Sequence, residues 1–372
     1  MITPLSILHT ESSLGWGGQE IRILTEAQGM IKRGIRVGLL CPEEATIFQE
    51  AQKRGIPVSA VPIARKNLTG LSALRTRLKL ENPDLIITHS STDSWLTAIA
   101  TRLLPHPPPL IRLRHISAAV PVNPANRWLY GSACRLVITT GEGIRERLIR
   151  VNRIPAAQVR SIPTGIDLER FTPGDRNAAR SALGLPFSIP VIGIVATLRS
   201  WKGHHDLIDA FAGLAHPEAL LVIVGDGPRQ EFLENRIAAL RLPPHRVRMT
   251  GRQEDVPLWL QAMDLFVLPS VANEGVPQAL IQAMASGLAV ISTPVGGIPE
   301  MIEHDVSGWL TPPGEVSALQ IALATLLKDP ARRQRLGSAA LEVARKRCGT
   351  EIMLDRMEEA VRDALAQHRR KR

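Results

Sequence analysis

Short, continuous apolar runs alternate along this chain with longer stretches of helical periodicity, and the alternation occurs twice. The first series has runs at 6–10, 36–41, 58–63, 84–89, 110–115 and 136–140; the second has them at 191–198, 219–225, 247–251, 264–270 and 288–293. Runs this short, apolar at nearly every residue, read as strands covered on both faces. That is the situation of a parallel sheet flanked by helices. Two successive βαβ series in 372 residues predict two doubly wound α/β domains, because a single core of that size is unusual. The join falls in the Pro- and Gly-rich stretch 162–175, with a short helix expected over 176–184. The expected division is 1–168 for a first Rossmann-like domain and 169–348 for a second. Residues 349–372 then form a C-terminal helix that packs back toward the first domain and ends in a basic tail.

In open α/β sheets, ligands bind beyond the carboxyl ends of the strands. Two such sheets facing a central cleft would set those ends opposite each other, so the residues just after strands are where chemistry is sought. After the first run come Gly17, Gly18, Gln19 and Glu20. Glycines let a backbone approach a ligand closely, and a helix N-terminus offers free N–H groups to phosphate. A plain tight turn has the same sequence. The pattern is not GxGxxG and lacks an acidic partner for a ribose, which argues against a dinucleotide. The fifth run ends in Arg114 and His115 and the fourth in His89. A histidine at a strand tip can hydrogen-bond a sugar hydroxyl or a phosphate, or be an ordinary structural residue.

The second series is richer. Its first run leads into Arg199 and Lys202–Gly203, two cations placed to neutralise a diphosphate, one a planar fork and the other a mobile point charge. The next ends in Gly225–Asp226–Gly227–Pro228, where proline suits a first helical position. The stretch 269–287 then carries Glu274, Gly275 and Val276 in a loop and a helix from about Val276–Pro277, with Gln278 and Gln282 on one side of it. Helix amides there could hold a pyrophosphate while Glu274 takes sugar hydroxyls. Gly296–Gly297 and Glu300 close another strand-to-helix turn.

These marks, in this order, resemble glycosyltransferase family four, the retaining enzymes of GT-B fold. They are Gly17–Gly18–Gln19–Glu20, Arg114–His115, Pro163–Thr164–Gly165–Ile166–Asp167, Arg199 with Lys202–Gly203, Gly225–Asp226–Gly227–Pro228, the Glu274 loop, and Gly296–Gly297 with Glu300. The resemblance implies a nucleoside-diphosphate sugar donor, uridine being a common base in the family. It implies that Gly17 and Gly18 admit donor phosphates or acceptor, and that His115 touches the donor sugar or a phosphate oxygen. Arg199 and Lys202 would stabilise the departing diphosphate. Glu274, with the amides of Gly275 and Val276, would bind donor-sugar hydroxyls. Gly225 would line the donor site, and Glu20, His89 and Arg114 the acceptor side. One departure stands out: the family commonly has a second glutamate where this chain has Gln282, a group that still accepts a hydrogen bond from a ribose but carries no charge.

No Asp-x-Asp motif is present, so a metal-independent transferase without cofactors is expected. The net charge of +10 suits anionic partners. Basic residues at Arg65–Lys66, Arg75, Arg77, Lys79, Arg112 and Arg114, with the tail 368–372, point to an anionic or lipid-linked acceptor and to peripheral contact with an anionic membrane, as in cell-surface polysaccharide or lipopolysaccharide assembly. Basic motifs interleaved with aromatics are lacking, which argues against nucleic acid. No apolar run reaches transmembrane length, and the N-terminus lacks the layout of a signal peptide, so a cytoplasmic chain is expected. Cys41, Cys134 and Cys348 are too far apart in sequence for a metal or disulfide framework and read as reduced thiols. Two other readings share the fold: a nucleotide-sugar epimerase, and a binding protein that has lost catalysis, for which Gln282 is the one supporting feature.

Overall fold

The computed structural model describes residues 4–215 and 218–370. The chain forms two compact units, residues 1–165 together with 350–372, and residues 166–349. Lys371 and Arg372 of the expected basic tail lie outside the described residues.

In the first unit, strands β1 (Ser6–Thr10), β2 (Arg36–Cys41), β3 (Val58–Ala60), β4 (Leu85–Thr88), β5 (Leu110–Arg114), β6 (Leu136–Thr139) and β7 (Val159–Ser161) alternate with helices. The helices are α1 (Gly18–Lys32), α2 (Thr46–Lys53), α3 (Leu68–Glu81), α4 (Ser91–Arg102), α5 (Pro124–Arg127), which runs on into a π-helical turn, and α6 (Glu142–Arg150). The sheet order is β3-β2-β1-β4-β5-β6-β7, and its pairings are parallel. The direction of strand progression reverses between β1 and β4. Every residue of β1, β4 and β6 is buried, because helices cover both faces.

The second unit opens with α7 (Arg176–Leu183). Asp175 caps it, accepting from the amides of Asn177 and Ala178, and Gly184 ends it in the left-handed region. Strands β8 (Val191–Val195), β9 (Leu220–Val224), β10 (Val247–Gly251), β11 (Leu265–Leu268), β12 (Ala289–Ser292) and β13 (Trp309–Leu310) alternate with α8 (His204–Ala212), α9 (Gln230–Ala239), α10 (Val256–Ala262) and α11 (Gln278–Ala285). Helices α12 (Val316–Lys328) and α13 (Pro330–Arg347) close the unit. The order β10-β9-β8-β11-β12-β13 is again parallel, with its reversal between β8 and β11.

The last helix, α14 (Thr350–Arg369), belongs to the first unit. Its buried stripe of Met353, Leu354, Met357, Ala360, Val361 and Ala364 joins the core of β1 and α1. Arg33, the C-cap residue that ends α1, pairs with Glu358 at 2.7 Å and Asp355 at 2.8 Å, and also with Glu351.

The observed strands are shorter than the apolar runs by one to three residues at several ends. The run 58–63 yields only β3, since Pro62 has no N–H for a ladder. Two edge strands, β7 and β13, have only three and two residues and give no periodic signal in the sequence.

Candidate functional site

The reversal point of each sheet is where ligands bind in such folds. Both reversal points in this chain carry an organised polar cluster.

In the second unit, β8 and β11 are neighbours. The chain leaves β8 through Thr197 and Leu198 and makes a single 3₁₀ turn over Ser200–Lys202. Gly203 follows with φ +75°, and a Cβ there would lie 2.0 Å from the carbonyl oxygen of Pro269. Only glycine lets this turn press against the end of β11. The amide of Val271 donates to the Trp201 carbonyl at 2.8 Å and ties the two loops together. Lys202 is thereby delivered to Glu274. Its Nζ lies 2.7 Å from Oε1 and 3.0 Å from Oε2, and the Ser270 hydroxyl donates to Oε1 at 2.6 Å. The lysine side chain is 20% exposed and the glutamate 5%.

The loop after β12 supports that carboxylate from behind. Gly296, at φ +62°, would place a Cβ 2.0 Å from the Glu274 carbonyl oxygen. Gly297 donates its amide to the Gly275 carbonyl at 2.9 Å, and the Thr293 hydroxyl donates to the Ser270 carbonyl. Gly275 and Val276 are buried. An ammonium has three N–H donors. With two engaged by Glu274, Lys202 keeps one for a further anion.

Of the residues singled out in sequence, the structure brings Lys202, Glu274, Gly275 and Val276 together. Arg199 goes elsewhere. It is exposed, its guanidinium sits 5.8 Å from the Trp201 ring centre, and it makes no ion pair with Glu274 among the described residues. Arg199 lines a cavity of about 390 Å³ with Ser200, His204, His205, Arg229 and Phe232. Gly225 directly follows β9, donates its amide to the Gly251 carbonyl at 2.9 Å and packs against the Ala196 backbone. Gln282 is half-buried on α11, one turn beyond Gln278. Helix α11 itself starts at Gln278 rather than at Val276–Pro277, and α9 starts two residues after Pro228.

In the first unit the cluster lies at the ends of β1, β4 and β5. His9 Nδ1 is 2.9 Å from His89 Nε2, and His89 Nδ1 is 3.1 Å from His115 Nε2. His9 and His89 are buried, while His115 is half-buried. Burial pushes the His9 imidazole down to about 4 and holds His89 and His115 well below the usual range, so all three are neutral at pH 7. Asp93, in the first turn of α4, accepts from the His89 amide and the Thr10 hydroxyl, each at 2.9 Å. Burial, then the charge of Glu11, pushes its carboxyl up to about 8. Glu11 accepts from the Ser13 amide at 2.7 Å and from Ser90 and Gln19 at 2.5 Å, while burial raises its own titration. Burial and the Glu11 charge push Glu20 up to about 7.

Gly17 and Gly18 open α1 beside this group, Gly17 in an extended conformation. Arg114 is committed inward, donating to Tyr130 Oη at 3.1 Å and to the Ala118 carbonyl. Arg112 is 3% exposed and donates to the Ser90 carbonyl at 2.9 Å. These two arginines therefore add nothing to a basic outer surface. His9, Glu11, Asp93 and Ser270 were not singled out in the sequence. Glu11 and Ser270 could have been marked only by their places just past a strand, Asp93 by its place in a first helical turn, and His9, inside β1, by nothing local.

Two sequence matches align with these two units. Residues 16–170 match the model of Glycosyltransferase Family 4, and residues 175–343 match that of Glycosyl transferases group 1. The chain belongs to this glycosyltransferase family. Among its relatives, the D-inositol 3-phosphate glycosyltransferase of Saccharomonospora viridis is 31% identical over 250 residues, covering 62% of this chain and 56% of that protein. A GDP-mannose-dependent mannosyltransferase of Corynebacterium glutamicum is 34% identical over 209 residues, covering 53% and 54%. The match thus spans little more than half the length of these two relatives. An Escherichia coli UDP-Gal:alpha-D-GlcNAc-diphosphoundecaprenol alpha-1,3-galactosyltransferase is 27% identical over 77% of this chain and 75% of its own. Among solved structures, Anabaena HepE in complex with UDP and glucose superposes with TM-score 0.85 at 24% identity, over 96% of this chain and all of that one. A glycosyltransferase from Rickettsia africae gives 0.84 at 20% identity, over 97% and 99%. The family's GT-B fold, with two Rossmann-like parallel-sheet units, is the fold of this chain.

Proposed function

We propose that this glycosyltransferase moves a hexosyl group from a nucleoside-diphosphate sugar to a lipid-linked or saccharide acceptor during cell-envelope polysaccharide synthesis. The transfer proceeds with retention and without a metal. The observation that carries this reading is the Lys202–Glu274 pair, an ammonium with one donor to spare beside a buried carboxylate at a sheet reversal. Relatives use both UDP- and GDP-linked donors, and HepE was crystallised with UDP and glucose, which supports a nucleoside-diphosphate sugar here. A uridine donor is the first to test.

Breaking a sugar–diphosphate bond builds negative charge on the leaving oxygen. A fixed cation aimed at that oxygen stabilises the transition state more than the ground state. Lys202 supplies that cation, and Arg199, exposed and unpaired with Glu274, is free to approach the diphosphate when donor binds. Glu274 takes donor-sugar hydroxyls. It is a poor nucleophile, because both of its oxygens accept from Lys202 and one also from Ser270. We therefore favour front-face transfer. The anomeric C–O bond to phosphate breaks, the acceptor oxygen bonds to the same face, and its proton passes to the departing diphosphate. Trapping a glycosyl ester on Glu274 would overturn this route.

The acceptor is read from the first unit. Glu20, His89 and Arg114 were expected to face it, and of the three histidines only His115 reaches the surface. Arg65, Lys66 and Lys79 are exposed and remain as surface cations for an anionic lipid-linked acceptor and for peripheral membrane contact, while Arg75 and Arg77 are half-buried. Among the described residues, no helix is long and apolar enough to cross a membrane. Sedimentation with anionic liposomes at low salt tests this contact, and failure to pellet removes it.

The deciding experiment is thermal stability with UDP, GDP, ADP and CMP, each with and without EDTA. A ligand that binds only the folded state raises stability by RT ln(1 + [L]/Kd). A shift with one nucleoside diphosphate, indifferent to EDTA, supports the donor site and names the base. No shift with any of them overturns the reading. Incubation with donor alone separates transfer, seen as slow hydrolysis, from epimerisation, seen as an epimeric sugar nucleotide.

A further inference from the structure

The three histidines of the first unit form a chain whose direction is constrained. A neutral imidazole has one N–H and one lone pair. Each link therefore needs a donor on one side and an acceptor on the other. With links at 2.9 and 3.1 Å, only two orders exist: all three N–H groups point toward His115, or all point toward His9. The rings of His9 and His89 are within 7° of parallel, and the Thr140 hydroxyl pins the His115 carbonyl at 3.1 Å. His9 Nε2 is buried and has no hydrogen-bond partner among the described residues. If the N–H groups ran inward, that nitrogen would be a buried donor with nothing to donate to. If they run outward, it carries only a lone pair. Along the backbone, orphaned buried N–H groups are rarer than under-satisfied carbonyls, and we apply the same ordering to this ring nitrogen.

We propose that His9 and His89 are positioning residues that fix the tautomer of His115, so that its Nδ1–H faces outward as a permanent hydrogen-bond donor to a substrate oxygen. His115 in this state cannot take a proton from an acceptor hydroxyl, because Nδ1 is already protonated and Nε2 accepts from His89. It serves a sugar hydroxyl or a phosphate oxygen. Its use in sugar transfer rests on the function proposed above; the tautomer does not.

Nitrogen-15 NMR of histidine-labelled protein reads this directly, since two-bond couplings to the ring protons distinguish the tautomers. The expected result is the Nδ1–H form at all three histidines. An Nε2–H form at His115 overturns the proposal. His89→Phe cuts both links, and His115 then averages between tautomers. With it, kcat/KM falls about 10–100-fold, the range for removing a partner that orients a functional histidine at metal sites. His89→Gln accepts from His9 and donates to His115, and should restore both the signature and most of the rate. If His89→Phe does not fold, His9→Phe removes only the buried end, and should also release His115 into a mixture. An unchanged His115 signature in these variants overturns the relay. A correct signature in a protein that turns over no sugar nucleotide leaves the relay standing and sinks the transferase reading instead.

Discussion

The Lys202–Glu274 pair shows why one residue can matter to folding and chemistry together. Removing one partner of a buried pair leaves the other charge unpaired and costs about 3–5 kcal/mol of stability. Removing a cation from a leaving group adds about 2.7–4 kcal/mol to the barrier, or 10²–10³ in rate, by analogy with the loss of one oxyanion donor. Lys202→Ala should therefore lower both the melting temperature and kcat. Lys202→Met with Glu274→Gln should recover most of the stability and none of the turnover, measured by calorimetry and initial rates side by side. Full turnover in the double variant would remove Lys202 from the leaving group. Lys202 and Glu274 were legible because each follows an apolar run at a place where ligands bind. Ser270 was not, since a serine at a strand end has no distinctive pattern. Arg199 was read correctly as lying beyond a strand. Sequence spacing, however, could not show that a 3₁₀ turn sends it and Lys202 in different directions.

The elements carry the next level of constraint. The turn after β12 packs closely against the Glu274 loop. Gly296→Ala meets both a left-handed backbone and a carbonyl oxygen 2.0 Å from the new carbon, and a backbone atom cannot swing aside as a side chain would. We expect a loss of about 1–3 kcal/mol, the scale of stored backbone strain, with weakened binding of nucleoside diphosphate. Melting curves with and without the ligand measure both. Unaltered ligand binding would mean that the turn does not hold the donor loop. The parallel strands were legible because helices cover both faces, which leaves continuous apolar runs such as β9 and β11. The edge strands β7 and β13 were not, because two or three residues hold no period. The histidine chain was half legible. His89 and His115 stood at strand tips, but His9 lies inside β1, and nothing local says that its neighbour in space is eighty residues away.

Across the whole molecule, buried titratable groups set opposing pH dependences. Burial first, aided by Glu11, pushes Asp93 up to about 8 and Glu20 up to about 7, and burial pushes Glu26 up to about 7. Unfolded, these carboxyls ionise near 4, so between there and 7 to 8 the folded chain holds more protons. Stability from this set falls as pH rises through that window. The histidines work the other way. Burial holds His9 down to about 4 and His204 down to about 3, while the unfolded rings take up protons below 6.5. Stability from this second set falls as pH drops from 6.5. Asp93→Asn should flatten the loss toward alkaline pH, and His204→Phe the loss toward acid, in urea unfolding at pH 5, 6, 7 and 8. Slopes identical to those of the parent chain would show that these groups titrate normally in the fold.

Helix α14 is the part of the first unit that arrives last. Its buried stripe completes a core begun at β1, yet 184 residues of the other unit, 166 to 349, stand between them in the chain. Domains made on a ribosome fold as units, usually from the N-terminus onward. Here the continuous second unit can finish first. The N-terminal one must wait, its α1 face bare, until residues near Ala364 leave the exit tunnel. During that interval the nascent chain presents apolar surface, and it is the stage at which a holdase should matter most. A ribosome-bound nascent chain stalled just before α14 should bind such a chaperone, and one extended past Arg369 should let it go.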